Sequence, residues 1–187
     1  MLVIDPYRTW QTLAERLKTE TNALHRRQLE QIIKHMKGEA AGDIDEILTT
    51  VSPQATYISY DNPGGPRRFE GHEGIRQFYH QMFEVVSVNL EFFVERLVVD
   101  DYCVVTEGAN KSAMKGSVLA AMGITVEDPD GFYLTRGRTL VVWPFDRDGM
   151  ILGEYIYPGF STAPAEAAQR RLLPEEIGTF HKAPRCG

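Results

Sequence analysis

The 187-residue sequence predicts an α+β domain. Its helical patterns come first along the chain and its strand patterns follow, an order that favours α+β over alternating α/β architecture. A chain of this length is enough for one domain with a proper core and too short for two comfortable ones. We therefore expect one domain over residues 1–160, followed by a short helix and a tail over residues 161–187.

Three helices are predicted in the first half of the chain. An apolar stripe runs from Tyr7 to Met36, and two weak helix formers at Thr21-Asn22 predict a bend or break within it. A short helix follows Gly42, where Asp43 can cap the free amides. The third helix, residues 71–86, has one broad apolar face that a sheet must cover. That face consists of Ile75, Phe78, Tyr79, Met82, Phe83 and Val86.

The strands are predicted from alternating patterns. The segment ATYISYD places Tyr57, Ser59 and Asp61 on one face of the first strand. Three or four further strands follow in VNLEFFVERLVVD, YCVVTEGANKSAM, FYLTRGRTLVVWPFD and MILGEYIYPG. The insertion at residues 115–131, with one or two helical turns in its middle, is expected to form a flap over one end of the sheet.

Composition excludes several classes of protein. A net charge of −6 without a basic stripe argues against nucleic acid as a partner. The apolar run at the start is too short for a signal peptide or a membrane span, so we expect a cytoplasmic protein with no membrane partner. Cys103 and Cys186 suggest neither a disulfide framework nor a redox pair.

Cofactor and metal motifs are also missing from the sequence. His72 precedes Glu73, but no second histidine follows at the spacing of zinc proteases. No Walker loop, GxGxxG after a strand or GxSxG is present. We therefore expect no cofactor and no metal site.

The segment GHEGIRQFYHQMF after ATYISYDNP, preceded by AGDIDEIL and followed by DRDGMILGEYIY, resembles the NTF2-like superfamily. The likeness is to its SnoaL-like and ketosteroid-isomerase-like branch, over roughly residues 25–160. It implies a strongly bent mixed or antiparallel sheet, wrapped into a cone around the N-terminal helices, with an internal cavity for an apolar ligand. It also implies a homodimer or higher homo-oligomer, paired through the outer face of the sheet, where Arg136 and Arg138 are expected.

Glu154 is the first candidate for a catalytic residue. It has the same strand parity as Ile156, where SnoaL-like relatives carry an aspartate, so the resemblance implies that it faces the cavity from the otherwise apolar segment GEYIYPG. A carboxylate on such a face must be paired or neutralised, and such positions are often functional.

Asp61 and His35 are candidates through the resemblance. The general-base carboxylate of isomerase-like relatives falls near Ser59 or Asp61, and burial at a cavity rim would raise the pKa of an aspartate there. Turn formation by Asp61-Asn62-Pro63-Gly64 is the alternative. The relatives' donor tyrosine falls at His35, which is otherwise a partly exposed helix histidine.

Other acids of the relatives are missing from this chain. The oxyanion-holding aspartate of the isomerases falls at Val141, and the aspartate of SnoaL-like cyclases falls at Ile156. The arginine and aspartate of the epoxide hydrolases fall at Gly108 and Asn110. These three chemistries are therefore disfavoured in their usual form.

The remaining candidates line the expected cavity. Tyr57 could donate a hydrogen bond and Trp143 could stack on a flat substrate, although both are also ordinary core residues. Further substrate-binding candidates are Asn110, Ser59, Phe78 and Phe83.

Two functions remain open. The first is a cofactor-independent lyase or isomerase, of dehydratase, cyclase or deformylase type, acting by acid–base chemistry on a hydrophobic cyclic or aromatic small molecule. The second is a non-catalytic module of the same fold that binds a small molecule or serves as an accessory subunit.

Overall fold

The computed structural model describes residues 1–86 and 88–180, and it confirms the α+β prediction. Residues 181–187 of the predicted tail lie outside the described residues. The helices are α1 (Gln11–Thr19), α2 (Ala23–Ala41), α3 (Ile44–Leu48), α4 (Gly71–Val86), α5 (Gly116–Ala121) and α6 (Pro164–Ala167). The strands are β1 (Val51–Ser59), β2 (Arg67–Glu70), β3 (Leu90–Val99), β4 (Cys103–Lys115), β5 (Phe132–Pro144), β6 (Ile151–Ser161) and β7 (Arg171–Leu172). Two short 3₁₀ segments, Pro6–Arg8 and Pro174–Glu176, complete the architecture.

The predicted break in the first helical pattern is confirmed. Helix α1 ends at Thr19 and α2 begins at Ala23, with Asn22 accepting a hydrogen bond of 2.9 Å from the amide of Leu24. This N-cap satisfies one of the free amides at the start of α2. The break frees α2 to turn its own apolar face, which includes Leu29 and Ile32, into the core.

A tight corner joins α2 to α3. Gly42 adopts the left-handed conformation with φ of 65°, and Asp43 caps α3 by accepting a hydrogen bond of 2.9 Å from the amide of Glu46. The two helices approach closely at Gly38, where an added Cβ atom would lie 2.8 Å from Cγ1 of Ile47. The corner therefore fixes the C-terminal half of α2 against the domain.

The strands form one mixed sheet in the order β2-β1-β6-β5-β4-β3, with β7 added to β5. Strands β1 and β6 are parallel, and the other pairings are antiparallel. The parallel register places Tyr57 opposite Glu154. Two inward side chains from distant parts of the chain thus lie on neighbouring strands.

Strand β2 is a difference from the sequence-based prediction, which placed this segment in a polar corner. Arg67–Glu70 returns antiparallel to β1, and Phe69, 9% exposed, is its buried residue. The Pro-Gly corner before it is the turn of a hairpin. The consequence is a longer wall beside the end of β1.

Helix α4 covers the concave side of the sheet, as its broad apolar face predicts. Ile75 and Tyr79 are fully buried, and Phe78 and Met82 pack beside them. The core lies between this helix, α2 and the inner faces of β1, β4, β5 and β6. None of the described helices is both long and apolar enough to cross a lipid bilayer.

The 115–131 insertion contains the predicted helical turns as α5. It packs closely at its base, where an added Cβ atom on Gly116 would lie 2.4 Å from the carbonyl oxygen of Asp128. A second small core beside it joins both ends of the described chain through Ile4, Ala113, Leu134 and Leu172.

The outer face of the sheet carries charge, as predicted for Arg136 and Arg138. The guanidinium of Arg138 pairs with Glu95 at 2.7 Å and also contacts Glu107, while Arg136 is exposed. Tyr60 and Tyr157 stack on this side with ring centroids 4.4 Å apart. Pairing of two copies through this face stays a prediction.

Candidate functional site

A cavity of about 650 Å³ lies between α2, α4 and the concave face of the sheet. Its walls are mainly apolar, and the end lined by Glu39 and the buried Glu154 is called the deep end. The described lining residues are Thr9, Met36, Glu39, Ser59, Asp61, Arg67, Phe78, Gln81, Met82, Glu84, Val85, Val86, Leu90, Phe92, Asn110, Ser112, Thr139, Val141, Trp143, Glu154 and Ile156. None of these comes from the 115–131 insertion.

Glu154 faces this cavity, which confirms the orientation predicted from strand parity. Its residue is 4% exposed, and its Oε1 atom lies 2.9 Å from Nε2 of His35. A buried carboxylate needs such a partner, because an isolated charge in an apolar interior is costly. The catalytic role of Glu154 remains a prediction.

His35 is fully buried, so the alternative of a partly exposed helix histidine is wrong. Its Nδ1 atom lies 2.7 Å from Oγ1 of Thr50, whose hydroxyl donates to the carbonyl oxygen of Ile47 at 2.6 Å. Since the threonine proton is engaged there, Oγ1 accepts from Nδ1–H of the imidazole. This fixes the ring and directs Nε2 toward Glu154.

Tyr79 is a central residue of the site that sequence reasoning assigned only to the core. Its hydroxyl oxygen lies 2.7 Å from Nε2 of His35, 2.9 Å from Oε1 of Glu39 and 3.2 Å from Oε1 of Glu154. One phenol therefore lies within hydrogen-bond distance of an imidazole and two carboxyl groups. The hydroxyl of Tyr57, a predicted site residue, joins the same group at 3.3 Å from Nε2.

Burial and neighbouring charge shift the ionisation of these groups. Burial by itself lowers the pKa of His35, but the hydrogen bond and charge of Glu154, with the charge of Glu39, raise it above its usual value. Burial is also the main reason that the pKa of Glu39 rises to about 7, with the charge of Glu154 acting in the same direction. Near neutral pH, His35 and the carboxyl group of Glu39 therefore each hold a proton for part of the time.

The phenols stay protonated. Burial, followed by the negative charge of Glu154, raises the pKa of both Tyr57 and Tyr79 well above the usual value for tyrosine. Each hydroxyl can therefore donate a hydrogen bond over the whole physiological pH range.

Asp61 lies at the cavity rim, but its environment differs from the prediction. Its carboxylate pairs with Arg67 at 2.6 Å, and both side chains are about two-fifths exposed, at 39% and 43%. Partial burial acts against ionisation, yet the hydrogen bond and charge of Arg67 hold the pKa of Asp61 below its usual value. The expectation of a raised pKa is therefore wrong, because β2 returns antiparallel to β1 and brings Arg67 to this aspartate.

Four of the five predicted substrate-binding residues line the cavity, and Phe83 does not. Trp143 lines the cavity at 3% exposure, with its indole N–H donating to Thr106 Oγ1 at 2.9 Å and its ring 5.6 Å from that of His35. The amide of Asn110 donates to Thr139 Oγ1 at 3.0 Å on the sheet wall. Ser59 and Phe78 also line the cavity. Phe83 instead lines a small neighbouring void of about 10 Å³ and packs on Tyr79.

The two positions that lack the relatives' acids face each other across neighbouring strands. Val141 on β5 pairs with Ile156 on β6, and both line the cavity. This part of the wall is apolar. Glu39 and Glu154 lie instead at the deep end, while Asp61 and Glu84 are the other acidic residues of the described lining.

The same deep end contains a group of side chains that could hold a metal ion. Among the described residues, ligand atoms of His35, Glu39 and Glu154 lie within 4.8 Å of one another. One imidazole and two carboxylates suit a divalent cation in type and charge. The sequence motifs gave no indication of this group, because Glu154 joins the other two only through the fold.

Glu39 and Tyr79 are the residues that sequence reasoning missed. Glu39 follows His35 by four positions, so the two share a face of α2. Tyr79 was recognised as part of the apolar face of α4, but the partner of its hydroxyl could not be read from that pattern. The i, i+4 spacing of a histidine and a glutamate was the one available signal.

A sequence profile of the SnoaL-like domain matches residues 32–153. No curated protein sequence matches the chain. Solved structures that resemble it include a candidate SnoaL-like polyketide cyclase of Jannaschia sp. CCS1, with a TM-score of 0.57 and 18% identity over 75% of this chain and 90% of that one. A second candidate cyclase of this kind, from Shewanella denitrificans OS-217, has a TM-score of 0.56 and 14% identity over 71% and 90%.

An LEH-like epoxide hydrolase of M. tuberculosis is also similar, with a TM-score of 0.51 and 16% identity over 71% of this chain and 83% of that one. Identities this low establish the fold and leave the chemistry of the cavity to be argued from its own residues. An NTF2-like protein of Anabaena variabilis ATCC 29413, with a TM-score of 0.55 and 16% identity over 76% of this chain and 96% of that one, confirms the fold expected from the sequence.

Proposed function

Because the chain belongs to the SnoaL-like domain family, we propose that it is a cofactor-independent lyase or isomerase acting by acid–base chemistry. The substrate proposed is a hydrophobic cyclic or aromatic small molecule. The observation that carries this proposal is the contact between buried Glu154 and buried His35 at the deep end of an apolar cavity. Neighbours of this fold described as polyketide cyclases and an epoxide hydrolase also support chemistry on small organic molecules.

Glu154 is proposed as the general base. Its carboxylate is held by the imidazole of His35, and that ring is oriented in turn by Thr50. A base oriented by a second group, itself oriented by a third, is a common arrangement of proton-transfer sites. Burial of the carboxylate strengthens its electrostatic interaction with a substrate proton.

The cavity is suited in size and lining to such a substrate. Its volume of about 650 Å³ falls within the usual range of small-molecule sites. Trp143 and Phe78 provide aromatic walls, while Asn110 and Ser59 provide polar contacts for substituents. Tyr57, whose hydroxyl contacts the imidazole of His35, is proposed as a hydrogen-bond donor that orients this pair.

A non-catalytic module that binds a small molecule is the second candidate. The apolar pair Val141 and Ile156, where relatives carry acids, favours it. Binding without turnover would need the same walls but would not need a buried carboxylate–imidazole pair.

The two functions are separated by an activity panel. We would follow absorbance changes of hydroxylated naphthalenes, a β,γ-unsaturated steroid ketone and the β-hydroxyketone of benzaldehyde and acetone, which dehydrates to benzylideneacetone. Glu154→Gln is expected to abolish turnover, because an amide cannot accept the proton. Glu30→Gln, the same substitution on the exposed side of α2, is the matched control.

Turnover that persists in Glu154→Gln would remove this residue from the mechanism. Binding of panel compounds by wild type without turnover would favour the second candidate. Treatment with a chelator is expected to leave turnover unchanged. Loss of turnover that Zn²⁺ restores would instead indicate that His35, Glu39 and Glu154 work through a metal ion.

A further inference from the structure

Glu39 is a cavity carboxyl that the proposed mechanism has not yet used. It lines both the main cavity and the small void beside it, and its Oε1 atom lies 2.9 Å from the hydroxyl of Tyr79. It enters from α2, one turn after His35, whereas Glu154 enters from β6. Two carboxyl groups on different elements thus meet at one phenol.

The two carboxyl groups differ in their distance from the imidazole. Nε2 of His35 lies 2.9 Å from Glu154 but 4.0 Å from Glu39. The imidazolium therefore stabilises the charge of Glu154 more strongly. Glu39, which lines the cavity, contacts the Tyr79 hydroxyl and lies farther from the imidazole, is therefore the carboxyl placed to pass a proton between Tyr79 and a substrate.

We propose that Glu39 is a second catalytic residue, which donates a proton to the substrate while Glu154 removes one, and that the Tyr79 hydroxyl returns the proton between turnovers. This inference rests on the proposed acid–base function. Glu39 thereby replaces Asp61, the sequence-based candidate, as the second carboxyl of an acid–base pair with Glu154.

The proton balance closes within the site. During turnover the Glu154 carboxylate takes a proton from one substrate atom, and the carboxylic acid of Glu39 gives a proton to another. Glu154 is then protonated and Glu39 is ionised. Tyr79 resets both groups when it passes its hydroxyl proton to Glu39 and accepts the proton of Glu154 on the same oxygen. No proton from bulk water is needed.

Tyr79 is placed to act through the two carboxyl groups rather than on the substrate. It is fully buried and is not among the described cavity-lining residues. Its oxygen lies 2.9 Å from Glu39 and 3.2 Å from Glu154. We therefore describe it as a positioning and relay residue, and its substitution should leave substrate binding largely intact.

The spacing of the carboxyl groups also restricts the substrate. Their ligand oxygens lie within 4.8 Å of each other. The substrate atom that loses a proton to one carboxyl and the substrate atom that receives a proton from the other must therefore be close together. They are either bonded to each other or separated by one atom. An enolisable carbonyl compound or a β-hydroxycarbonyl compound meets this condition.

The test uses the panel compound that wild type converts. Glu39→Gln is expected to lower kcat by about 100-fold with a small change in KM, in keeping with the loss of a general acid. Glu39→Asp keeps an acid at this position and should recover part of the rate. Glu30→Gln is again the control on the same helix, and thermal unfolding checks that each variant is folded.

Tyr79→Phe is expected to lower kcat about 10-fold, and the loss should be reversed by raising the concentration of phosphate or imidazole buffer. Such rescue would not follow from a merely structural defect. If the Glu39→Gln variant keeps the wild-type kcat while the Glu154→Gln variant is inactive, this inference is overturned and the proposed function stands. A wild type that converts no panel compound would overturn both.

Discussion

His35 and Glu39 lie one turn apart on α2, and Nε2 of the imidazole is 4.0 Å from Oε1 of the carboxyl group. Both side chains face the interior, and Oε1 of Glu154 lies 2.9 Å from the same Nε2 atom. Three ionisable groups thus share a space where full ionisation of both carboxyls is unfavourable. The protonation of this group should therefore influence stability as well as chemistry.

The stability of the protein should depend on the ionisation of Glu39. Its pKa rises from 4.5 to about 7 on folding, so the folded state holds a proton that the unfolded state has lost between these values. Stability contributed by this proton is complete below pH 4.5 and is lost as the pH rises through about 7. The raised pKa of His35 acts in the same direction.

Glu39→Gln should remove this dependence. We expect the free energy of unfolding of the variant, minus that of wild type, to increase by about 3 kcal/mol between acidic and mildly alkaline pH. Urea unfolding at several pH values measures this difference, with Glu30→Gln as the control. A difference that stays constant with pH would contradict the buried position of the Glu39 carboxyl.

Thr50 should hold the imidazole of His35 in its orientation by accepting the proton of Nδ1. Thr50→Val removes the acceptor of the 2.7 Å hydrogen bond and leaves Nδ1–H unpaired in the interior. We expect a loss of stability of about 1–3 kcal/mol. Nitrogen NMR of the imidazole should show a changed tautomer or protonation state, while Thr50→Ser, which keeps the hydroxyl, should resemble wild type in both measurements.

Thr106 should stabilise the aromatic wall of the cavity through Trp143. Its Oγ1 atom accepts the indole N–H at 2.9 Å, and Thr106 is fully buried. Thr106→Val leaves the indole without this partner and should cost about 1–3 kcal/mol, whereas Thr106→Ser retains the acceptor. Equal unfolding midpoints for the valine and serine variants would argue against the hydrogen bond.

Gly108 should tolerate no side chain. A Cβ atom at this position would lie 2.0 Å from the carbonyl oxygen of Phe93 on the neighbouring strand, close to the register shift between β3 and β4. We expect Gly108→Ala to destabilise the protein by about 3 kcal/mol, because the backbones must separate. Gly64→Ala, in the open corner where the nearest atoms are 3.6 Å away, should change stability by less than about 1 kcal/mol.

The ion pair of Asp61 and Arg67 should contribute little to stability. Both side chains are partly exposed, and such pairs are screened by solvent. A double-mutant cycle with Asp61→Asn and Arg67→Gln should give a coupling energy of about 0.2–1 kcal/mol at low salt and less at high salt. A larger, salt-independent coupling would mean that the rim is more enclosed than the exposed fractions indicate.

Much of the fold could be predicted because its elements have clear periodicity. The apolar stripe of α4 and the alternation in β1 specify both their type and their buried faces. Strand β2 could not be predicted in this way. In Arg67–Glu70 only Phe69 is apolar, and the strand exists because β1 offers a free edge after a Pro-Gly turn.

The site could be predicted in part, from the strand parity of Glu154 and from the family resemblance that placed a hydrogen-bond donor at His35. Parity was sufficient for Glu154, because an inward position on β6 leads directly to the cavity. Parity could not place His35 or Glu39, since the surroundings of a helix face depend on what packs against it. The pairing of Asp61 with Arg67 could not be predicted either, because it depends on the return of β2 beside β1.

The parallel pairing of β1 with β6 has a consequence for how the protein matures. Tyr57 is synthesised early and Glu154 late. They become neighbours only when β6, the last long strand, pairs with β1. Until β6 has left the ribosome, the imidazole of His35 has no carboxylate from that strand to bind. The nascent protein should therefore complete the group of His35, Glu39 and Glu154 in a single late step, together with closure of the sheet.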